Sequence, residues 1–179
     1  MDETINESFR HIRSLAKDIE GKLNGTSASD QRLLNEIAGM FAVTIAASYE
    51  GIVKETLVDY ASKFHERYKF YIQKDFERLN ARISVEDLKS YSRRFGLAEW
   101  TGKGAKRNST IFHMMLQERQ LKVEKRYRTD LLRSYENIFL WRNAYAHERT
   151  TNATFSDVYN SHRVAQHVIR CFADAFKVG

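Results

Sequence analysis

The sequence predicts an all-α protein, a bundle of about five to seven helices with two long antiparallel helices at its core. Its 179 residues include no proline and only eight glycines, and proline is the residue that most often marks turns and helix ends. No stretch alternates Val, Ile and Thr as a half-buried strand does. Apolar residues instead recur every three or four positions, as on one face of a helix. The length suits one domain, residues 1–179.

The N-terminal part of the chain predicts two helices and one segment whose boundary stays open. An apolar stripe from Ile5 to Leu23 predicts the first helix. The segment NGTSASD breaks it, and Ser29 or Asp30 is expected to cap the next helix, at about 30–63. That helix contains GMFAVTIAASYEG, the most apolar stretch and the expected core. The following SKFHERYKFYIQKDFERLNARI either prolongs this helix or forms a separate one.

The remaining helices are predicted from start and stop signals. Ser84 opens a capping-box-like Ser-Val-Glu-Asp, and Gly96 is expected to end that short helix. Helices follow at about 111–127 and 130–148, the second capped by Thr129 or Asp130. Thr154 opens a second capping-box-like sequence before the last helix. We expect the helices at 30–63 and 130–148 to be the antiparallel core pair.

Composition argues against several classes of protein. No uninterrupted apolar run approaches the roughly 18 residues of a membrane span, and the acidic, amphipathic N-terminus lacks the features of a signal peptide. The single cysteine, Cys171, excludes an internal disulfide framework. A cytoplasmic protein without a membrane partner is therefore expected. None of the six histidines belongs to a recognisable zinc motif, so neither a metal site nor a cofactor is predicted.

The positive charge is concentrated in one segment. Between Arg93 and Arg133 eleven Lys and Arg face four acidic residues, whereas the rest of the chain has 18 basic and 19 acidic residues. The segment contains TGKGAKRNST (101–110), which predicts a surface loop and lacks the Gly-Lys-Ser/Thr of a P-loop. Lys103, Lys106 and Arg107 in this loop are candidate contacts for a polyanion. The alternative is a solvated basic surface without a ligand.

The hexapeptide RNAYAH, residues 142–147, closes the predicted helix at 130–148. Arg142, Asn143 and His147 are polar residues at the end of an apolar stretch, so satisfied polar groups at a helix end are one explanation. In this setting the hexapeptide resembles the Arg-polar-x3-His signature of the HEPN superfamily. The earlier helix with AASYEGIVKE is similar to that of RiboL-PSP-type HEPN proteins, and the resemblance extends over roughly residues 33–176.

The resemblance implies a HEPN-like helical bundle and a metal-independent endoribonuclease. Arg142 and His147 would be catalytic, with Asn143 orienting the histidine or contacting phosphate. Glu50 would contribute an acid from the earlier helix, although pairing with Lys54 at i+4 is an alternative. RNA contacts are expected from Tyr145, Arg149 and the three loop cations named above, and Tyr145 is also a candidate for interface or core packing.

A homodimer is expected from geometry and from the resemblance together. Five residues of helix rotate by about 500°, so Arg142 and His147 lie some 140° apart unless the helix ends between them. The alternative is a two-fold interface that brings two motifs to one cleft, as in HEPN nucleases. An antitoxin or defence-system partner is also implied.

Two rival functions remain from the sequence. One is a non-catalytic HEPN nucleic-acid-binding, nucleotide-binding or adaptor module, paired with a nucleotidyltransferase-like partner. Members silenced by such a partner carry Tyr two residues after the histidine, where this chain has Arg149. The other rival is an unrelated helical adaptor in which RNAYAH only pins a helix end.

Overall fold

The computed structural model of the chain describes residues 2–23, 27–78, 83–97 and 110–178. Within these ranges the elements are seven α-helices, with no strand among them, which confirms the predicted all-α fold class. The helices are α1 (Asp2–Lys22), α2 (Ala28–Ser62), α3 (Glu66–Arg78), α4 (Val85–Arg94), α5 (Ile111–Tyr127), α6 (Leu131–Glu148) and α7 (Phe155–Val178).

Both predicted capping boxes are present. The Ser84 hydroxyl accepts from the Asp87 N–H and the Asp87 carboxylate accepts from the Ser84 N–H at the start of α4. Thr154 and Asp157 make the same reciprocal pair at the start of α7, at 3.0 and 3.1 Å. Gly96 follows α4 with φ +74°, in the left-handed conformation that glycine adopts without strain. These three helix boundaries could be predicted from the sequence because each depends on residues only a few positions apart.

The predicted cap of α2 was wrong by two residues or more. The hydroxyl of Ser27, and not a side chain of Ser29 or Asp30, accepts from the N–H of Asp30 at 3.0 Å. Ser29 hydrogen-bonds to the Ser27 hydroxyl instead, at 2.8 Å. Ser27 lies three positions before the N–H that it accepts from, which is the usual geometry of a cap.

The aromatic segment after α2 forms a separate helix. The backbone tightens after Tyr60, where the N–H of Lys63 bonds to the Tyr60 carbonyl at 3.1 Å. His65 then accepts from the Arg67 N–H through its Nδ1, at 3.1 Å, and thereby satisfies one of the exposed donors at the start of α3. The His65 side chain thus replaces a backbone carbonyl as the acceptor at the start of α3. Helix α2 ends at Ser62 and α3 begins at Glu66.

The chain forms two compact units, one of Met1–Tyr49 with Leu131–Gln166 and one of Glu50–Asp130 with His167–Gly179. In the first unit Tyr49 of α2 stacks on Tyr135 of α6, with ring centroids 5.9 Å apart and an interplanar angle of 4°. Gly39, ten residues earlier in α2, lies against Tyr145, ten residues later in α6. The two helices therefore run antiparallel here, as the sequence predicts.

The second unit has its own aromatic core. Tyr60 of α2 and Phe95 after α4 both meet Phe176 of α7 edge to face, at 5.1 and 5.7 Å between centroids. Phe112 of α5 meets Phe172 in the same way at 5.6 Å. Edge-to-face pairs of this kind are a preferred packing of buried aromatic rings. The prediction that residues 1–179 form a single domain stays a prediction.

The core helix α2 combines length with high mean hydropathy. An 18-residue window within Ser29–Ser62 has a mean hydropathy of at least 1.2, so this helix is long and apolar enough to cross a membrane by length and composition alone. Half of the window is buried inside the protein. Core helices of folded domains show the same properties, so this is weak evidence for a membrane span. The sequence expectation concerned apolar runs, which Ser, Thr and Glu interrupt in this helix, so the absence of a membrane span stays a prediction.

Candidate functional site

The hexapeptide RNAYAH occupies the C-terminal part of α6, and the helix continues unbroken through it to Glu148. The helix therefore does not end between Arg142 and His147, and that explanation of their spacing is excluded. Arg142 is half-buried, whereas Asn143 and His147 are exposed. Asn143 and His147 are four residues apart and so share one face of the helix. Their side chains are presented together to solvent in the last turns of α6.

Arg142 is connected to that face by a hydrogen bond. Its Nη1 donates to the Oδ1 of Asn143 at 3.0 Å. The Cα–Cβ directions of adjacent helical residues differ by about 100°, so this bond turns the guanidinium towards the face that carries Asn143 and His147. Asn143 was expected to orient the histidine or to contact phosphate; the contact described by the structure is with the arginine. The Asn143 amide thus brings the Arg142 guanidinium closer to the helix face that carries His147 than the five-residue spacing alone would.

The helix ends immediately after the histidine through a backbone device. Arg149 has φ +56°, in the left-handed region, and its N–H donates to the Tyr145 carbonyl at 3.0 Å. This is the bond that a left-handed C-terminal residue typically makes. Arg149 is exposed, and its predicted RNA contact stays a prediction. Termination of α6 is therefore provided by the backbone of Arg149, and the His147 side chain is exposed in the last turn.

Tyr145 packs within the protein. A Cβ added to the buried Gly39 of α2 would fall inside the Tyr145 ring, so the ring lies directly over the glycine backbone. This contact agrees with the packing alternative for Tyr145 and fixes α6 against α2 in the middle of the motif. A contact of the same ring with RNA stays a prediction.

The remaining candidates are distributed outside this helix. Glu50 is half-buried on α2, directly after the buried Tyr49, and it belongs to the second compact unit. Its role as an acid in the site stays a prediction. Lys103, Lys106 and Arg107 lie outside the described residues. The final residue of the predicted loop, Thr110, caps α5 by accepting from the His113 N–H at 3.2 Å.

The described part of the basic segment is mostly exposed. Its Lys and Arg side chains lie on or beside α4, α5 and α6, and seven of the eight are exposed: Arg93, Arg94, Lys122, Lys125, Arg126, Arg128 and Arg133. The eighth, Arg119, is half-buried. Arg119, Arg170 and Arg126 add to burial in lowering the pKa of His167, so α5 and α7 carry a local positive field. Such a field attracts polyanions.

Another histidine forms a buried polar pair that sequence reasoning missed. The Tyr49 hydroxyl and the Nδ1 of His162 share a hydrogen bond at 2.9 Å, with Phe9 edge-on to both rings. Burial, with a smaller contribution from Arg13, lowers the pKa of His162 to about 3. Burial likewise raises the pKa of Tyr49. Both groups are neutral near pH 7, and the pair stabilises the first unit's core.

The described ranges contain no cluster of metal-ligating side chains. There, no group of three or more His, Cys, Asp or Glu side chains lies close enough together to hold a metal ion. Cys171 is buried, its thiol lies 3.7 Å from the Met115 carbonyl, and burial raises its pKa to about 11. The thiol is therefore protonated at neutral pH.

The fold and the site define a class of protein. An all-α chain that presents Arg, Asn and His near the end of a core helix corresponds to the HEPN class anticipated from the hexapeptide. The model of the RiboL-PSP-HEPN family matches residues 4–178, nearly the whole chain. The protein belongs to the RiboL-PSP-HEPN family. No curated protein and no solved structure matches it significantly.

Proposed function

We propose that this protein is a metal-independent endoribonuclease of HEPN type that acts as a homodimer. The observation that carries the proposal is the arrangement at the end of α6, where exposed Asn143 and His147 share a face and Asn143 holds the Arg142 guanidinium at 3.0 Å. A proton-transfer group and a permanent cation on one accessible surface suit chemistry at a phosphate.

The proposed reaction is transesterification of RNA. The ribose 2′-oxygen attacks the adjacent phosphorus, the bond from phosphorus to the 5′-oxygen breaks, and the products carry a 2′,3′-cyclic phosphate and a 5′-hydroxyl. One group accepts the 2′-OH proton and another donates a proton to the leaving oxygen. An imidazole can accept or donate a proton, so His147 can serve in either role. Arg142 would stabilise charge on the non-bridging oxygens, and Asn143 would orient its guanidinium.

A two-fold dimer would complete the site. In the continuous α6 the Cβ directions of Arg142 and His147 differ by about 140°. Within one chain, the two side chains therefore reach the same cleft only because the arginine side chain is long. Two copies that meet along α6 would bring two of each residue to a shared cleft and supply both an acid and a base. Glu50 and the loop cations Lys103, Lys106 and Arg107 are proposed as supporting residues.

The exposure of Asn143 and His147 favours this function over a helix-pinning role. A residue whose only role is to end a helix would hydrogen-bond through its side chain to the last backbone groups of that helix. In α6 the backbone N–H of Arg149 already makes such a bond, to the Tyr145 carbonyl. Arg149 also stands where partner-silenced relatives are expected to have tyrosine. We therefore propose a toxin or defence ribonuclease in the cytoplasm, restrained by an antitoxin or defence-system protein.

The test is cleavage of RNA by purified protein in EDTA. His147→Ala and Arg142→Ala should each lower the rate by about 100-fold or more, because proton transfer and electrostatic stabilisation each contribute at least that much. Arg142→Lys should also fail, because an ammonium cannot form the bidentate contact. Arg10→Ala and His11→Ala, two exposed residues of the same types on α1, are matched controls and should retain activity.

A second measurement tests the shared site. Neither Arg142→Ala nor His147→Ala should cleave alone, but their mixture should regain part of the activity if heterodimers contain one intact composite site. A monomeric wild type, a requirement for a divalent ion, or products without 2′,3′-cyclic phosphate would each refute the ribonuclease proposal. Binding of RNA without cleavage would favour the non-catalytic module.

A further inference from the structure

Helix α3 and the turn before it expose an unusual number of aromatic side chains. Phe64, Tyr68, Phe70 and Tyr71 are 66, 42, 56 and 65% exposed, within eight consecutive residues. Single exposed apolar residues are ordinary, but a contiguous group of them marks a binding surface. The proposed cleavage chemistry makes no use of this segment.

The aromatic side chains are arranged in order on the helix. Tyr68 and Tyr71 are three residues apart and so share one face of α3, and Phe64 lies in the turn before the helix. The Tyr68 and Tyr71 rings are parallel within 7°, with centroids 6.5 Å apart. Phe64 is anchored by an edge-to-face contact with the buried Tyr60, at 5.1 Å. The buried Ile72, four residues after Tyr68, marks the inward side of α3 and borders the tyrosine face.

Cations are interspersed with these rings. Residues 63–74 contain four Lys and Arg and one acidic residue, Glu66. Arg67, Phe70 and Lys74 fall three and four residues apart, so an aromatic ring lies between two exposed cations on the adjoining face. An interfacial membrane helix separates its apolar face from its charged face. Here Phe70 lies among the cations and the tyrosine face adjoins them, so the two kinds of side chain are not on opposite sides of the helix.

We propose that α3 and its preceding turn form a platform for single-stranded RNA, with bases stacked on Phe64, Tyr68 and Tyr71 and phosphates contacted by Arg67 and Lys74. Aromatic rings interspersed with cations are the combination that binds single strands without sequence preference. The choice of RNA as the nucleic acid rests on the proposed function. Stacking requires accessible base faces, so the platform distinguishes single strands from duplexes.

The experiment measures the affinity of the full-length His147→Ala protein, which should not cut, for a fluorescent oligouridylate and for an RNA duplex of equal length. Tyr68→Ala/Tyr71→Ala should weaken oligouridylate binding by about 25-fold or more, because each of the two stacked bases usually contributes at least about 5-fold. Duplex binding should be unchanged. Tyr127→Ala, which removes a comparably exposed tyrosine on α5, is the matched control and should behave as the parent protein.

The salt dependence separates the two kinds of contact. The aromatic double substitution should leave the slope of log affinity against log salt unaltered. Arg67→Ala/Lys74→Ala should reduce that slope by about 1.4, because each phosphate contact on a single strand contributes about 0.7. A folded aromatic variant with the parent's oligouridylate affinity would overturn the platform. So would a change that appears only in oligomeric state or in binding to anionic vesicles.

The two proposals fail in different ways. If the wild type does not cleave RNA but its oligouridylate binding depends on Tyr68 and Tyr71, the platform stands and the ribonuclease proposal falls. If the wild type cleaves and the tyrosine substitutions change neither affinity nor its strand preference, the platform falls alone.

Discussion

Substituting Gly39 by alanine should destabilise the protein, although the same change usually stabilises a helix. Alanine is favoured over glycine inside a helix by about 1 kcal/mol. At Gly39, however, the new Cβ would fall within the Tyr145 ring, and this includes ring atoms close to the Tyr145 backbone. Since overpacking typically costs about 1–3 kcal/mol, the net change should be a loss of up to about 2 kcal/mol.

Gly51 provides a matched control in the same helix. Among the described residues, no atom lies within 4 Å of a Cβ built there. Gly51→Ala should therefore gain up to about 1 kcal/mol from helix propensity alone. The two alanine variants should differ in free energy of unfolding by about 1–3 kcal/mol, measured by urea denaturation followed by circular dichroism at 222 nm.

A double substitution identifies the cause of the loss. Tyr145→Ala removes the ring, so Gly39→Ala should be neutral or stabilising in a Tyr145→Ala background, and the two changes should be strongly non-additive. Because Tyr145 lies two residues before His147, Gly39→Ala should also lower RNA cleavage. A Gly39→Ala protein as stable as Gly51→Ala would refute the packing argument.

Three other outcomes are expected. His162 is neutral in the folded protein, where its pKa is about 3 against an ordinary 6.5, so the unfolded chain binds the extra proton between these values. Stability should therefore fall as pH drops below about 6.5, by up to about 1.4 kcal/mol per pH unit, and urea titrations at pH 7 and 5.5 should show a smaller fall in His162→Gln. Cys171, whose pKa burial raises to about 11, should react with a thiol reagent at pH 8 only after unfolding; rapid labelling of the folded protein would contradict its burial. Thr154→Ala should lower the free energy of unfolding by about 1 kcal/mol, because it removes the hydroxyl that accepts from the Asp157 N–H, and an unchanged midpoint in urea would show that this cap contributes nothing.

Local signals in the sequence predicted most of the fold. The capping boxes at Ser84 and Thr154, the glycine at 96 and the aligned apolar positions each act over one or two helical turns, so they can be read without knowing the tertiary structure. The Ser27 cap was not predicted because Ser27, Ser29 and Asp30 are all residue types that cap helices, and the sequence does not distinguish them. The antiparallel pairing of α2 and α6 was predicted, but not its register, which Gly39 and Tyr145 define.

The candidate site divides in the same way. RNAYAH and its place near a helix end could be predicted from the chain, because spacing and polarity are local properties. The Arg142–Asn143 hydrogen bond depends on side-chain rotamers, which the spacing alone does not specify. The Tyr49–His162 pair joins residues 113 positions apart, and a lone histidine on an apolar helix gives no sign of its partner.

The division of the chain between the two units has a consequence for its synthesis on the ribosome. The first unit needs both Met1–Tyr49 and Leu131–Gln166, so α1 and the first part of α2 emerge long before the segments they pack against. At about 5–20 residues per second, synthesis of the chain from residue 50 to residue 166 takes roughly 6–24 s. During this time the most apolar helix of the protein is exposed in the nascent chain. Holdase chaperones should therefore bind ribosome-bound chains that end before α6 more strongly than the released protein.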